Sequence, residues 1–228
     1  MTIETSHNIA SPQTEEGVIK YQVQHTAAEL EIPTKVFAQL SSWRSLLFKL
    51  QLLGQNPNLY GGLAYGNISH RIAWGNDQFW ITATQTSHLP ILNPSDYTKV
   101  VNAEPLANLL FSEGERQPSS EALTHASVYQ ANAQAKAVLH VHSPAIWRQT
   151  EALQLVHTAR HVAYGTPAMA FAVAAMFKQG LLTEQGVFTM LGHEDGVVVF
   201  ADSLENAGLL LIKTLTKAMA LAPELLYG

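Results

Sequence analysis

The stretch AVLHVHSP, Ala137 to Pro144, limits what this chain can fold into more than any other. Val138, Leu139 and Val141 are strand formers, and Ser143-Pro144 reads as a helix N-cap followed by proline at the first helical position. A strand therefore ends here, just before a helix. Successive side chains of a strand point to opposite faces, so His140 and His142 share one. Strand ends that face a cleft are the usual place for ligands in mixed sheets. Two imidazoles there fit a metal site, and fit equally a pair of hydrogen-bonded structural histidines, because H-x-H alone is too short to decide.

At 228 residues, 47% hydrophobic and 14% charged, the chain has the make-up of one folded domain with a substantial core. The low share of charge leaves room for subunit contacts. A formal net charge of −5 and no clustered Lys/Arg run argue against a nucleic-acid partner. With no cysteine, disulfides and thiolate zinc sites are excluded, and any metal falls to His, Asp or Glu. The N-terminal MTIETSHNIASPQTEEG lacks the basic and apolar regions of a signal peptide, and no apolar run reaches the length of a membrane span. The expectations are no membrane partner and a cytoplasmic location.

Residues 1–17 read as a loose polar tail and residues 18–228 as the domain. VIKYQVQHT reads as a strand covering a sheet edge, and apolar positions at helical spacing predict an amphipathic helix from about Pro33 to Gly54. GNISHRIAW and DQFWITAT read as strands joined by a hairpin at Gly75-Asn76-Asp77. ILNPSDYTKVVNAEP adds a turn and a strand, and FSEGERQP reads as a loop. A helix follows from Pro118 and two serines, then the histidine strand, a helix from Pro144, and an alanine-rich helix from Thr166-Pro167 to about Gly180. GVFTMLGHEDGVVVFA predicts two strands around a polar turn, and Asp202-Ser203-Leu204-Glu205 opens a final helix in the pattern of a capping box. Helices and strands alternate without strict βαβ order. The fold class expected is α/β, a mixed, mainly antiparallel central sheet with helices on both faces.

His193, in the turn of TMLGHEDGVVV, is either a plain turn residue or a third imidazole completing a site that keeps one open position. Three nitrogens without sulfur favour Zn²⁺, with Mn²⁺, Co²⁺ and Fe²⁺ as alternatives. Glu194 and Asp195 read as solvated turn charges. If Ser119 or Ser120 caps its helix, Glu121 lies in the first turn, beside free backbone N–H groups that favour anions. Beside a metal, Glu121 alternates between ligand and general base; without one it is an ordinary dipole-complementing carboxylate. His125, four residues on, shares its helical face and is a candidate to orient it. His70-Arg71 reads as an exposed pair, and Trp43, Trp74, Phe79 and Trp80 as core or interface. His157 and His161 are weaker candidates for lining a pocket.

In the order GNIS, WITAT, PSSE…H…Y, AVLHVHSP, YGT and GHEDGVVVF, the chain resembles the class II aldolase/adducin family from about Pro33 to Ala222. The resemblance implies that family's single-domain fold, with His140, His142 and His193 as metal ligands and Glu121 as the carboxylate serving as ligand or acid/base. It implies substrate-binding roles for Asn67, Thr84, Ser119 and Ser120, at positions that hold a phosphate in sugar-phosphate aldolases, and a homo-oligomer, a homotetramer first. Gln85 stands where the aldolases have glycine, which leaves open whether the substrate carries phosphate. The segment between His142 and YGT is shorter than the pattern, and the chain ends soon after its last helix. The resemblance assigns neither Tyr164 nor Tyr227 to the tyrosines expected in those places, Tyr227 standing too close to the helix end to match.

The activity implied is that of a metal-dependent aldehyde-lyase acting on a small hydroxy-carbonyl compound through a metal-stabilised enediolate. Dehydration and epimerisation share that intermediate. The competing expectation is a non-catalytic, adducin-like binding protein, which has no need of an open metal site.

Overall fold

The computed structural model describes residues 18–184 and 186–222, so the tail expected over residues 1–17, and Tyr227, lie outside the described residues. In chain order its elements are β1 (Gln22–Ala27), α1 (Thr34–Lys49), β2 (Gly54–Gln55), β3 (Ala64–Tyr65), β4 (Asn67–Arg71), β5 (Phe79–Thr82), β6 (Tyr97–Glu104), β7 (Leu109–Gly114), α2 (Ala122–Ala131), β8 (Ala137–His142), α3 (Pro144–Arg148), β9 (Val156–Thr158), α4 (Pro167–Lys178), β10 (Gly186–Met190), β11 (Gly196–Ala201) and α5 (Leu204–Leu221).

Nine strands form one sheet in the order β1-β7-β6-β5-β4-β8-β11-β10-β9, and β2 pairs with β3 apart from it. The outermost pairs, β1 with β7 and β9 with β10, are parallel; every pair between them is antiparallel. The mixed, mainly antiparallel sheet is thus as expected, with β1 on an edge. Alternation along β8 and β11 divides the core. Val138, Val198 and Phe200 pack with residues of α2 and α4, while Leu139, Val141, Val197 and Val199 pack with residues of α1, α3 and α5. Helices therefore cover both faces, and His140 and His142, spaced two and four residues from Val138, fall on the α2/α4 side.

Several local expectations need correction. The first helix stops at Lys49, not Gly54, because Gln51 turns into the left-handed region (φ 57). Leu53, which continues the helical spacing, is buried from the loop instead, as is Leu52 beside it. FSEGERQP is not all loop: its first four residues belong to β7, which finds partners on both sides in β1 and β6. Tertiary pairing outweighs the weak strand propensity of Ser, Glu and Gly there. At α5 the cap is Ser203, accepting from the Asn206 backbone N–H (3.1 Å); Asn206 also donates to Asp202, and Glu205 closes no capping box.

Arg71 is buried rather than exposed. Its guanidinium donates to the carbonyls of Asn76, Tyr129, Asn132 and Ala135 and to Asp77 (2.7 Å), tying the β4–β5 hairpin to the end of α2. Phe79 and Trp80 are buried, Trp43 is half-buried and Trp74 is exposed with Lys136 over its ring.

The packing of α5 on α1 needs a residue without a side chain. A Cβ at Gly208 would meet the Trp43 ring at 2.2 Å. We expect Gly208→Ala to destabilise the protein by about 1–3 kcal/mol through overpacking, read from the midpoint of denaturant unfolding.

Candidate metal centre

The antiparallel register of β4, β8 and β11 assembles the site. His140 lies opposite Val198 on one side and Asn67 on the other, and His142 lies opposite Gly196. His193 sits in the tight β10–β11 turn, whose backbone is closed by His193 N–H to the Met190 carbonyl and Gly196 N–H to the His193 carbonyl, both 3.0 Å. The glycine before it is required sterically, since a Cβ at Gly192 would lie 2.3 Å from the Val162 carbonyl oxygen. One nitrogen from each of His140, His142 and His193 lies within 4.8 Å of the others. All three rings are buried, at 0, 2 and 4% exposure.

The donor set fits a divalent metal of borderline softness. His140 Nδ1 lies 3.3 Å from the Val197 carbonyl, which can only accept, so Nδ1 carries the proton and Nε2 keeps its lone pair for a ligand. Rings surround the cluster: Tyr164 stacks on His193 (centroids 4.5 Å), and Tyr60 and Tyr65 pack on His142 at 4.4 and 5.2 Å.

Glu121 completes the group, though not as a first-turn residue. It is itself the N-cap of α2, and the Ser119 hydroxyl accepts from its backbone N–H at 3.4 Å. Its carboxylate is fully buried; Oε2 accepts from Thr124 Oγ1 at 2.6 Å and Oε1 lies 3.3 Å from His193 Nδ1. Burial pushes its pKa up, but the His193 contact, the electrostatic influence of the neighbouring His140 and His193 rings, and the Thr124 hydroxyl together hold it down at about 2. Burying an ion costs several kcal/mol, and a hydrogen bond to a charged group returns about 1.5–3. A cation among the three imidazoles would complete the compensation.

His125 does not orient this carboxylate. Its Nδ1 bonds the Ser69 hydroxyl at 2.7 Å, and Ser69 in turn bonds Tyr129 at 2.8 Å, so the residue that holds Glu121 is Thr124. Thr124 went unmarked in the sequence because a threonine inside a helix carries no signature of its own. Glu194 is exposed as expected, whereas Asp195 is buried and accepts from the Tyr60 hydroxyl at 2.7 Å. His157 and His161 are exposed and take no part.

Asn67, Thr84, Ser119 and Ser120 come together in one pocket, with Gly66, Gln85 and Ser87. Gln85 adopts φ 55, the left-handed conformation a glycine takes freely. Its side chain then reaches across to accept from the Ala64 backbone N–H at 3.3 Å. None of the residues lining this pocket is charged.

Residues 58–221 match the profile described as Class II Aldolase and Adducin N-terminal domain. Among solved structures, an L-fuculose-1-phosphate aldolase from Thermus thermophilus is similar at 18% identity and a TM-score of 0.60, over 85% of this chain and 95% of that one. A sugar-phosphate aldolase from Thermotoga maritima shares 16% identity, with a TM-score of 0.63 over 85% and 96% of the two chains. The N-terminal class II aldolase domain of a conserved Thermoplasma acidophilum protein shares 15%, at 0.58 over 86% and 97%. At these identities the likeness is one of fold. No curated protein matches the sequence. Among the described residues, no helix is long and apolar enough to cross a membrane.

Two histidines add a pH dependence, His125 buried and His70 half-buried rather than exposed as expected. Burial lowers His125 to about 3, opposed by the charge of Glu121, and lowers His70 to about 4, helped by Lys136. Both are neutral when folded and take up protons near pH 6.5 when unfolded, so the unfolded state binds more protons below that pH and stability falls as pH drops. Glu121 adds loss in the same direction below its unfolded value of about 4.3. Chelator-treated protein is expected to melt at progressively lower temperature from pH 7 to pH 4, with a shallower fall in His125→Gln.

Proposed function

Because this chain belongs to the class II aldolase and adducin family, we propose that it is a divalent-metal-dependent lyase, cleaving or forming a C–C bond in a small hydroxy-carbonyl compound. The observation that carries this reading is the convergence of His140, His142, His193 and a buried, ionised Glu121 at one point. A binding scaffold gains nothing from burying four such groups together at the cost of their desolvation.

His140, His142 and His193 are the residues that would hold the ion, Zn²⁺ first, with Glu121 as an exchangeable fourth ligand. When bound, such an ion supplies Lewis-acid polarisation of a carbonyl oxygen and stabilises negative charge developing there. The residues of the chain supply the rest. Glu121 is the general base, its Oε2 fixed by Thr124 and its Oε1 turned to the histidine cluster, 3.3 Å from His193 Nδ1. Asn67, Thr84, Ser119 and Ser120 hold the end of the substrate remote from the reacting carbonyl. Their pocket carries no cation, and Gln85 spans its edge, so a hydroxyl-bearing end without phosphate suits it better than a dianion. The assembly proposed is a homo-oligomer, with a homotetramer as the form to test by light scattering.

Elemental analysis of purified protein tests the reading. We expect about one metal ion per chain in the wild type and little in His142→Ala. Glu121→Gln is expected to lower the turnover of aldol cleavage by about 10²–10⁴-fold, assayed on phosphorylated and unphosphorylated aldols side by side. A wild type that retains no metal after incubation with excess Zn²⁺ or Mn²⁺ and desalting contradicts the proposal and moves the weight to an adducin-like binding role.

A further inference from the structure

The loop between β2 and β3 brings Tyr60 onto the histidine cluster at a conformational cost. Tyr60, Gly61 and Gly62 are all left-handed in succession, at φ 50, 67 and 75. For the two glycines this is free, but for an aromatic residue it is an uncommon and strained conformation. The neighbouring Leu59 is exposed, so burial of the loop as a whole does not explain the strain. The loop is held in this shape by Gly62 N–H to the Leu59 carbonyl (2.8 Å) and Gln55 Nε2 to the Gly62 carbonyl (2.7 Å).

What the strained turn achieves is a link between two carriers of the site. The Tyr60 ring packs edge-on against His142 (centroids 4.4 Å, 68°) and against Tyr65 (5.0 Å, 72°). Its hydroxyl donates to Asp195 Oδ2 at 2.7 Å. Asp195 is buried, is left-handed itself (φ 60), and stands two residues after His193 in the same turn. Its carbonyl accepts from the Ser143 N–H at 2.8 Å, the residue directly after His142. One side chain thus braces the ring of a β8 histidine and the turn that carries the third histidine.

We propose that Tyr60 is a positioning residue for the metal centre, clasping His142 and the His193 turn through its hydrogen bond to Asp195 so that the three imidazoles are already converged before an ion binds. The inference rests on the metal-site reading above. Partners that orient ligands in this way are worth about 10–100-fold in metal affinity when removed. The ring packs on His142 and Tyr65, and the link to the His193 turn runs through the hydrogen bond to Asp195.

The test is competition for Zn²⁺ between a chromogenic chelator and the whole protein, as wild type, Tyr60→Phe and Asp195→Asn, with the melting temperature of each metal-free form measured in parallel. Tyr60→Phe keeps the ring and loses the hydrogen bond; it is expected to bind Zn²⁺ at least about tenfold more weakly with little change in metal-free melting. Asp195→Asn keeps an acceptor for the Tyr60 hydroxyl and tolerates the left-handed backbone, so its affinity should stay near that of the wild type. Wild-type affinity in Tyr60→Phe overturns the clasp while leaving the metal centre standing. So does an equal loss in Asp195→Asn, which would assign the effect to charge. A loss of affinity in Tyr60→Phe matched by a large fall in metal-free melting makes the residue merely structural and also overturns it. A wild type that takes up no Zn²⁺ overturns the metal centre and the clasp together.

Discussion

The site depends on the register of one strand. β8 lies in the interior of the sheet, antiparallel to both β4 and β11, and every residue of it is buried. A shift of one residue would send His140 and His142 to the α1/α3/α5 face and Leu139 and Val141 to the other, burying imidazoles among hydrocarbon. The apolar pattern of β8 therefore fixes where the histidines point as firmly as it fixes the core. Chemistry and folding draw on the same alternation.

Around that strand the surrounding elements each contribute one constraint. The β10–β11 turn adds His193 because Gly192 lets its backbone approach Val162, and the start of α2 adds Glu121 from the opposite layer. The carboxylate stays ionised despite full burial only because polar and basic partners enclose it. Such a cluster is costly to fold and is held by packing further out: Arg71 braces the hairpin beside it, and Tyr164 and Tyr60 wall the imidazoles.

Much of this was legible in the sequence because the signals are local. Alternation in AVLHVH, the Ser-Pro cap and the GHED turn each act within a few residues, and together they place the three histidines. PSSE announces a helix start, but which residue caps it depends on backbone bonds that the letters do not carry, so Glu121 moves from the first turn to the cap itself. β7 was missed because its strand character comes from its two neighbours and not from Ser112, Glu113 and Gly114. Tyr60 and Asp195 are 135 residues apart, and Arg71 reaches Asn132 and Ala135 across the hairpin. Pairings of that range are products of topology, invisible to any window along the chain.

The central claim is that three imidazoles share one ion. X-ray absorption at the zinc edge of the Zn²⁺-loaded protein tests it most directly, because multiple scattering from imidazole rings distinguishes histidine from oxygen ligands. The account predicts about three histidine nitrogens at roughly 2.0–2.1 Å with a lighter oxygen contribution. A shell made of oxygen alone, or of a single imidazole, would place the ion elsewhere and contradict it.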